Sequence, residues 1–188
     1  MRSFVLVFAL VGATTSTVCF SQTTAPVSAP PPRACTAPEH SQFDFWVGKW
    51  EVHPTKATNI VAHSLIEKRY GGCAVRENWM PVGKEIAGGG GSLNFYDKNK
   101  KLWRQTWIDS SGTRVDFDGT FGDDVMTLTG NWADFAGPGR DAIVRMHYQK
   151  EPDGQVRQWA EASTDSGKTW MPAFDLTYRH VDKFPAFK

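Results

Sequence analysis

Phe43-Asp-Phe-Trp-Val-Gly-Lys-Trp-Glu-Val52 is the stretch on which the fold turns. It opens on aromatic residues, passes through Gly48-x-Trp50, and runs on into strand-like alternation. Such a Gly-x-Trp marks the head of an antiparallel meander that closes on itself, and a closed barrel of this size can enclose one small ligand. A short helical turn around Glu39 to Phe45 is expected to lead into the first strand.

Outward from that point, turn chemistry recurs about every ten residues. The breaks fall at Tyr70-Gly-Gly, Ala87 through Gly91, Asp97-Lys-Asn-Lys, Asp109-Ser-Ser-Gly, Gly122-Asp-Asp, Glu151-Pro-Asp-Gly and Thr164-Asp-Ser-Gly. Gly, Asn, Asp and Pro serve these places because hairpin turns need positive or pre-set φ. Between them the residues alternate with period two. Trp103, Gln105 and Trp107 share one face; so do Val115, Phe117, Gly119 and Phe121; so do Phe174, Leu176, Tyr178 and His180. Short consecutive strands close most simply as a single all-β, antiparallel, up-and-down barrel, which leaves no exposed edge. A two-sheet sandwich would need longer crossovers. Asn131 to Arg140, with Gly-Pro-Gly, reads as a loop at the barrel mouth.

The N-terminus reads as a targeting segment. Arg2, the apolar run Phe4 to Val11 and Cys19-Phe20-Ser21 form the pattern of a cleavable signal peptide over residues 1–21, too short to span a bilayer. Acylation at Cys19 ranks below simple secretion. Residues 22–34 form a Pro/Ala/Thr linker with too little apolar content to fold, and the barrel domain is expected over 35–184. Residues 1–21 carry one basic residue and no acid, so the remainder balances 20 basic against 20 acidic residues. That balance argues against nucleic acid or an anionic membrane surface as partner. A secreted or periplasmic location follows, with no membrane span.

Two cysteines remain after the signal, Cys35 and Cys73. An even pair in an oxidising compartment reads as a disulfide; a zinc site or a catalytic thiol would need Cys or His partners that the sequence does not place nearby. No metal site or cofactor is expected, because His40, His53, His63, His147 and His180 lie far apart with no ligand spacing. A haem on one axial histidine, His147 or His180, is a lesser alternative.

Several motifs invite functional readings. Ser163-Thr-Asp-Ser-Gly-Lys-Thr-Trp170 matches the Asp-box hairpin; one copy on a short chain is structural, with Asp165 satisfying turn donors and Gly167 at positive φ. Gly88 to Gly91 lacks the Lys-Ser/Thr and the helix of a phosphate loop and reads as a flexible turn or a sharp strand bend. Arg179 is expected to lie across the Trp50 ring as a cation–π contact at one end of the barrel. Candidate acid–base residues are Glu77, Asp109, Glu161, His147 and Tyr148. Carboxylates, amides and cations beside tryptophans suggest an aromatic pocket with a few orienting polar groups. The expected ligand-binding set is Glu77, Trp79, Asn94, Gln105, Trp107, Arg145, His147, Trp159 and Glu161. Periodicity does not say which faces point inward, since both faces of several strands carry polar residues.

The ordered motifs Phe43 to Trp50, Gly72-Cys-Ala-Val-Arg-Glu-Asn-Trp79, Ser92-Leu-Asn-Phe-Tyr-Asp97, Trp103-Arg-Gln-Thr-Trp-Ile-Asp109, Val156-Arg-Gln158 and Ser163 to Trp170 together resemble a family of small secreted bacterial proteins of unknown function. The resemblance covers most of residues 35–180 and implies a calycin/lipocalin-like barrel; it implies no activity and no catalytic residues. Through Gly-x-Trp the chain is more distantly similar to nitrobindin-type haem barrels, without a clear counterpart of their haem histidine. The expected function is binding of a small apolar or aromatic ligand in the barrel interior. The enzymatic alternative is a cofactor-independent isomerase, cyclase or hydratase using Glu77 or Glu161 as base, with Tyr148, His147 or Arg145 polarising the substrate. A third reading is an envelope protein-interaction module with a filled interior.

Overall fold

The computed structural model describes residues 34–83 and 88–183. Ten strands form one closed barrel: β1 Gly48–Pro54, β2 Ala62–Arg69, β3 Ala74–Pro81, β4 Gly90–Asp97, β5 Leu102–Asp109, β6 Arg114–Gly122, β7 Val125–Trp132, β8 Ala142–Lys150, β9 Val156–Ser163 and β10 Met171–His180. Each pairs antiparallel with its sequence neighbours, and β1 closes on β10. The up-and-down barrel expected from the turn spacing is the observed architecture. The expected signal peptide over 1–21 and nearly all of the linker over 22–34 lie outside the described residues.

The lead-in does more than enter the first strand. Two 3-10 turns, Pro38–Ser41 and Asp44–Trp46, plug one end of the barrel. Phe43 and Trp46 are fully buried and stack at 4.9 Å, and Trp46 lies 4.9 Å from the Tyr148 ring. Polar contacts fix the plug to the wall. Trp50 Nε1 donates to the Trp46 carbonyl at 2.9 Å, and Trp103 Nε1 donates to Gln42 Oε1 at 3.0 Å. Lys68 Nζ reaches both the Asp44 carboxylate and the His40 carbonyl. The Cys35–Cys73 disulfide, with Cα atoms 5.1 Å apart, ties the same segment to the β2–β3 turn. Such a bond suits an oxidising, extracytoplasmic environment.

Gly48 explains the Gly-x-Trp pair in steric language. A Cβ at Gly48 would stand 2.9 Å from the Trp50 indole, so glycine is what lets that ring fold back over the strand start. The expected Arg179 cover is corrected. The β1–β10 register sets His180 opposite Trp50, with the rings edge to face at 5.5 Å, whereas Arg179 pairs with Glu51 on the outer side. A one-residue step along a strand reverses the face.

The outer wall is polar. Arg104 pairs with Asp118 at 2.7 Å, Arg157 with Asp175 at 2.7 Å and Arg76 with Glu67 at 2.7 Å, all across neighbouring strands. A lipid-facing barrel would present an apolar band there. Among the described residues no helix is long and apolar enough to cross a membrane.

Candidate functional site

The end opposite the plug is open. Below it lies a cavity of about 330 Å³, lined by Glu77, Trp79, Gln105, Trp107, Phe117, Trp132, Met146, Tyr148, Gln158, Phe174, Leu176 and Tyr178. These side chains come from seven strands, each contributing alternate residues from its inner face. Three of the eight tryptophans line it (Trp79, Trp107, Trp132). The glycine run has its role here. Gly90 and Gly91 begin β4 rather than forming a free turn, and a Cβ on Gly90 would stand 2.6 Å from the Trp107 indole. The missing side chain is the space that Trp107 fills. On the rim, the loop after Trp132 keeps Phe135 against that indole, with ring centroids 5.3 Å apart.

The cavity rests on a belt of hydrogen-bonded side chains. Gln105 Nε2 donates to Asn94 Oδ1 at 2.6 Å, Asn94 Nδ2 donates to Ser92 Oγ at 3.0 Å, and Ser92 Oγ donates to Glu77 Oε2 at 3.0 Å. Ser64 Oγ donates to Glu77 Oε1 at 3.1 Å. On the other side, Tyr178 donates to Gln158 Oε1 at 2.7 Å, and Gln158 Nε2 donates to the Tyr148 hydroxyl at 2.9 Å. The Tyr178 phenol also stands near the Glu77 carboxyl, with its single proton committed to Gln158. The amide orientations are fixed by their surroundings. Asn94 Nδ2 also lies 3.0 Å from the Val75 carbonyl, an acceptor only, so Oδ1 faces Gln105.

Burial governs the ionisation of these groups. Removal from water raises the Glu77 carboxyl to about 7, against the opposing pull of its bonds to Ser92 and Ser64. Burial, and then the nearby Glu77 charge, push the Tyr148 phenol upward; the same causes act on Tyr178. A carboxyl poised near neutrality in an aromatic cavity can give or take a proton under ordinary conditions.

The sequence-expected residues divide. Glu77, Trp79, Gln105 and Trp107 line the cavity, and fully buried Asn94 supports it through Gln105. Arg145, His147, Trp159 and Glu161 stand on the outer face of β8 and β9, away from the interior. Val144, Met146 and Tyr148 take the inner face of β8, and Gln158, Ala160 and Ala162 that of β9. The outer four form a cluster of their own. Arg145 pairs with Glu161 at 2.6 Å, His147 stacks on Trp159 at 4.9 Å, and Arg145 lies 4.0 Å over the Trp170 ring. Burial lowers the His147 pKa, which Glu161 partly opposes. Glu161 therefore has no access to an interior substrate, and the acid–base alternative reduces to Glu77 with Tyr148. His147 lies outside the cavity and His180 at the plugged end against Trp50, so neither is placed to hold a haem in the interior.

Asp109 sits in the β5–β6 turn, where its carboxylate accepts from the Ser111 amide at 2.9 Å and from Trp107 Nε1 at 3.3 Å. It braces a cavity tryptophan rather than facing the space. The Asp-box is structural. The Asp165 carboxylate accepts from the Thr169 hydroxyl at 2.6 Å, from the Thr169 amide at 2.9 Å and from Ser163 Oγ at 2.7 Å, and these bonds hold it down at about 2. Sequence reasoning missed Tyr178, Gln158, Ser64, Met146, Trp132, Phe117, Phe174 and Leu176 as parts of the site. Phe117, Phe174, Leu176 and Tyr178 were already sorted onto single faces by alternation; only the hand was lacking.

The Glu77 environment makes stability depend on pH. An unfolded Glu titrates near ~4.3, so between there and about 7 the folded chain keeps a proton that the unfolded chain has lost. Stability from this group is full below the lower value, falls as pH rises through the window, and levels off above it. The loss amounts to about 3 kcal/mol. In Glu77→Gln this slope should vanish, so the difference in urea unfolding free energy between wild type and variant shifts by that amount from pH 4.5 to 8. A difference independent of pH contradicts the assignment.

Comparison with protein-family models yields no match, and neither does comparison with curated proteins. The reading of function therefore rests on this geometry.

Proposed function

We propose that the barrel binds one small, largely apolar or aromatic molecule, presenting a polar group of the ligand to Glu77 and Tyr148 at the cavity floor. The observation that carries this reading is an aromatic cavity that ends on unspent hydrogen-bonding capacity. Tyr148 receives amide donors from Gln158 at 2.9 Å and Gln105 at 3.4 Å, while its own proton has only the Met146 sulfur at 3.8 Å. A thioether is a weak acceptor, so a ligand oxygen or nitrogen would be the better partner. The cavity volume lies at the small end of the range for ligand pockets. An interaction module with a filled interior would not need this space.

A second reading, a cofactor-independent isomerase, cyclase or hydratase, is favoured by one observation: the Glu77 carboxyl titrates near neutrality inside the same cavity. Glu77 would then move a proton on a substrate oriented by Tyr148. We further read the chain as secreted or periplasmic, from the targeting pattern of residues 1–21 together with the disulfide. The same motifs support membership of the secreted, calycin-like family that the chain resembles.

Calorimetric titration with 2-phenylethanol tests the binding reading. Saturable one-site binding is expected, and Leu176→Trp, which fills the space from the wall, should abolish it while circular dichroism stays native. No saturable heat up to the solubility limit would refute the reading, as would binding indifferent to Leu176→Trp.

A further inference from the structure

We propose that the cavity selects cations: its ligand is a protonated amine on a small aromatic or aliphatic body, with the ammonium at Glu77 and the body among the tryptophans. This inference rests on the binding reading above and names its ligand class. Three features point to positive charge.

The first is the lining itself. Among the described residues that line the cavity, Glu77 is the one carboxyl, two tyrosines are the other titratable groups, and Lys, Arg and His are missing from the wall. A carboxylic acid or phosphate entering this space would meet no cation. Neutral molecules would gain nothing from Glu77 beyond a hydrogen bond.

The second is the direction of the belt. Gln105 donates to Asn94, Asn94 to Ser92, and Ser92 to Glu77, and each arrow is set by the Val75 carbonyl at the Asn94 amide. Ser64 donates from the opposite strand. A donor chain aimed at one carboxyl supports its ionised form. An ionised carboxylate offers roughly four acceptor positions. Ser64 and Ser92 fill two of them, and the Tyr178 proton is committed to Gln158, which leaves acceptor positions for a ligand donor.

The third is the missing counter-charge. Among the described residues Glu77 has donors but no cationic partner, although its carboxyl is buried; that removal from water is what raises it to about 7. A bound ammonium would supply the absent charge, and burying an ion pair with hydrogen bonds is far less costly than burying one ion. The indoles of Trp79, Trp107 and Trp132 add π faces that attract cations. Tyr178 from β10 and Tyr148 from β8 are the titratable groups that face Glu77, and burial keeps both neutral over the working range.

The test compares three probes of one shape: 2-phenylethylamine, 2-phenylethanol and phenylacetate, titrated calorimetrically into the full folded protein. At pH 8 the amine should bind at least about tenfold more tightly than the alcohol, the scale of a charge-assisted contact in a desolvated site. Phenylacetate should bind more weakly than either. Between pH 8 and 5.5 the amine's affinity should fall roughly thirtyfold as Glu77 takes up a proton, while the alcohol's stays nearly constant. Glu77→Gln should bring the amine-to-alcohol ratio to about one. The wild-type ratios and pH dependence decide the matter even should that variant fail to fold. Alcohol binding with no amine preference, or a preference for phenylacetate, overturns the cation selectivity and leaves the binding reading standing. If none of the three binds, both fail.

Discussion

Trp46→Ala should lower the unfolding free energy by ~3–5 kcal/mol, the usual cost of emptying a fully buried aromatic site. Trp46 is buried to 0 % exposure and is held between Phe43, 4.9 Å away, and Tyr148, 4.9 Å away on the barrel side. On the barrel side little can collapse into the space, since Tyr148 and Tyr178 belong to closed-barrel strands whose backbones are hydrogen-bonded on both sides. The consequence reaches the cavity. Tyr148 rests on Trp46 and Phe43, at 4.9 and 5.0 Å, so losing the indole frees the phenol from its place beside Gln158 and Gln105. Trp46→Phe keeps most of the packing and should cost less than half as much. Urea denaturation measures both; an alanine variant within ~1 kcal/mol of wild type would mean that the plug is not part of the cooperative core.

Removing the disulfide should have an effect of similar size. Cys35 and Cys73 are separated by 38 residues, and closing a loop of that length restricts the unfolded chain by about 4 kcal/mol in the chain-entropy model. The double variant Cys35→Ser/Cys73→Ser should therefore unfold at markedly lower urea. The bond also anchors the plug, because Cys35 lies just before the two 3-10 turns. Once Trp46 is alanine, the plug has less to lose, so combining the three changes should destabilise by less than the sum of the separate effects. Strict additivity, read from the double-mutant cycle, would show that disulfide and plug act independently.

The barrel was legible because its determinants are local. Turn residues at regular spacing and alternating strands between them require neighbouring strands to pair, and nothing in Thr164-Asp-Ser-Gly or Glu151-Pro-Asp-Gly allows another connection. The Cys35–Cys73 pairing was legible by elimination. What the sequence withheld is tied to which face looks inward and to long-range register. On β9, Trp159 and Glu161 looked like an orienting carboxylate beside an aromatic ring, whereas the true inner face is Gln158, Ala160 and Ala162. Two alanines and a glutamine do not announce a core. The alanines are small because β9 must leave space for the rings of Tyr148, Phe174 and Tyr178, a requirement set by two other strands, β8 and β10. Trp159 in turn is sheltered outside the barrel by His147 and by Arg157, 4.8 Å over its ring. The pairing of His180 rather than Arg179 with Trp50 depends on the closing register between the first and last strands, which no local pattern contains. The short helical lead-in was expected, but its role as a plug was not, since that depends on the width of the barrel it enters.

The binding claim is tested most directly by methyl NMR on protein labelled at the methionine ε-carbons, with 2-phenylethylamine added at pH 8. Met146 lines the cavity, Met126 is buried without lining it, and Met80 and Met171 lie outside it. A saturable ring-current shift at Met146, with the other three methyls nearly unmoved, is the predicted result. Shifts confined to Met80 or Met171, or none at millimolar ligand, would contradict an interior binding site.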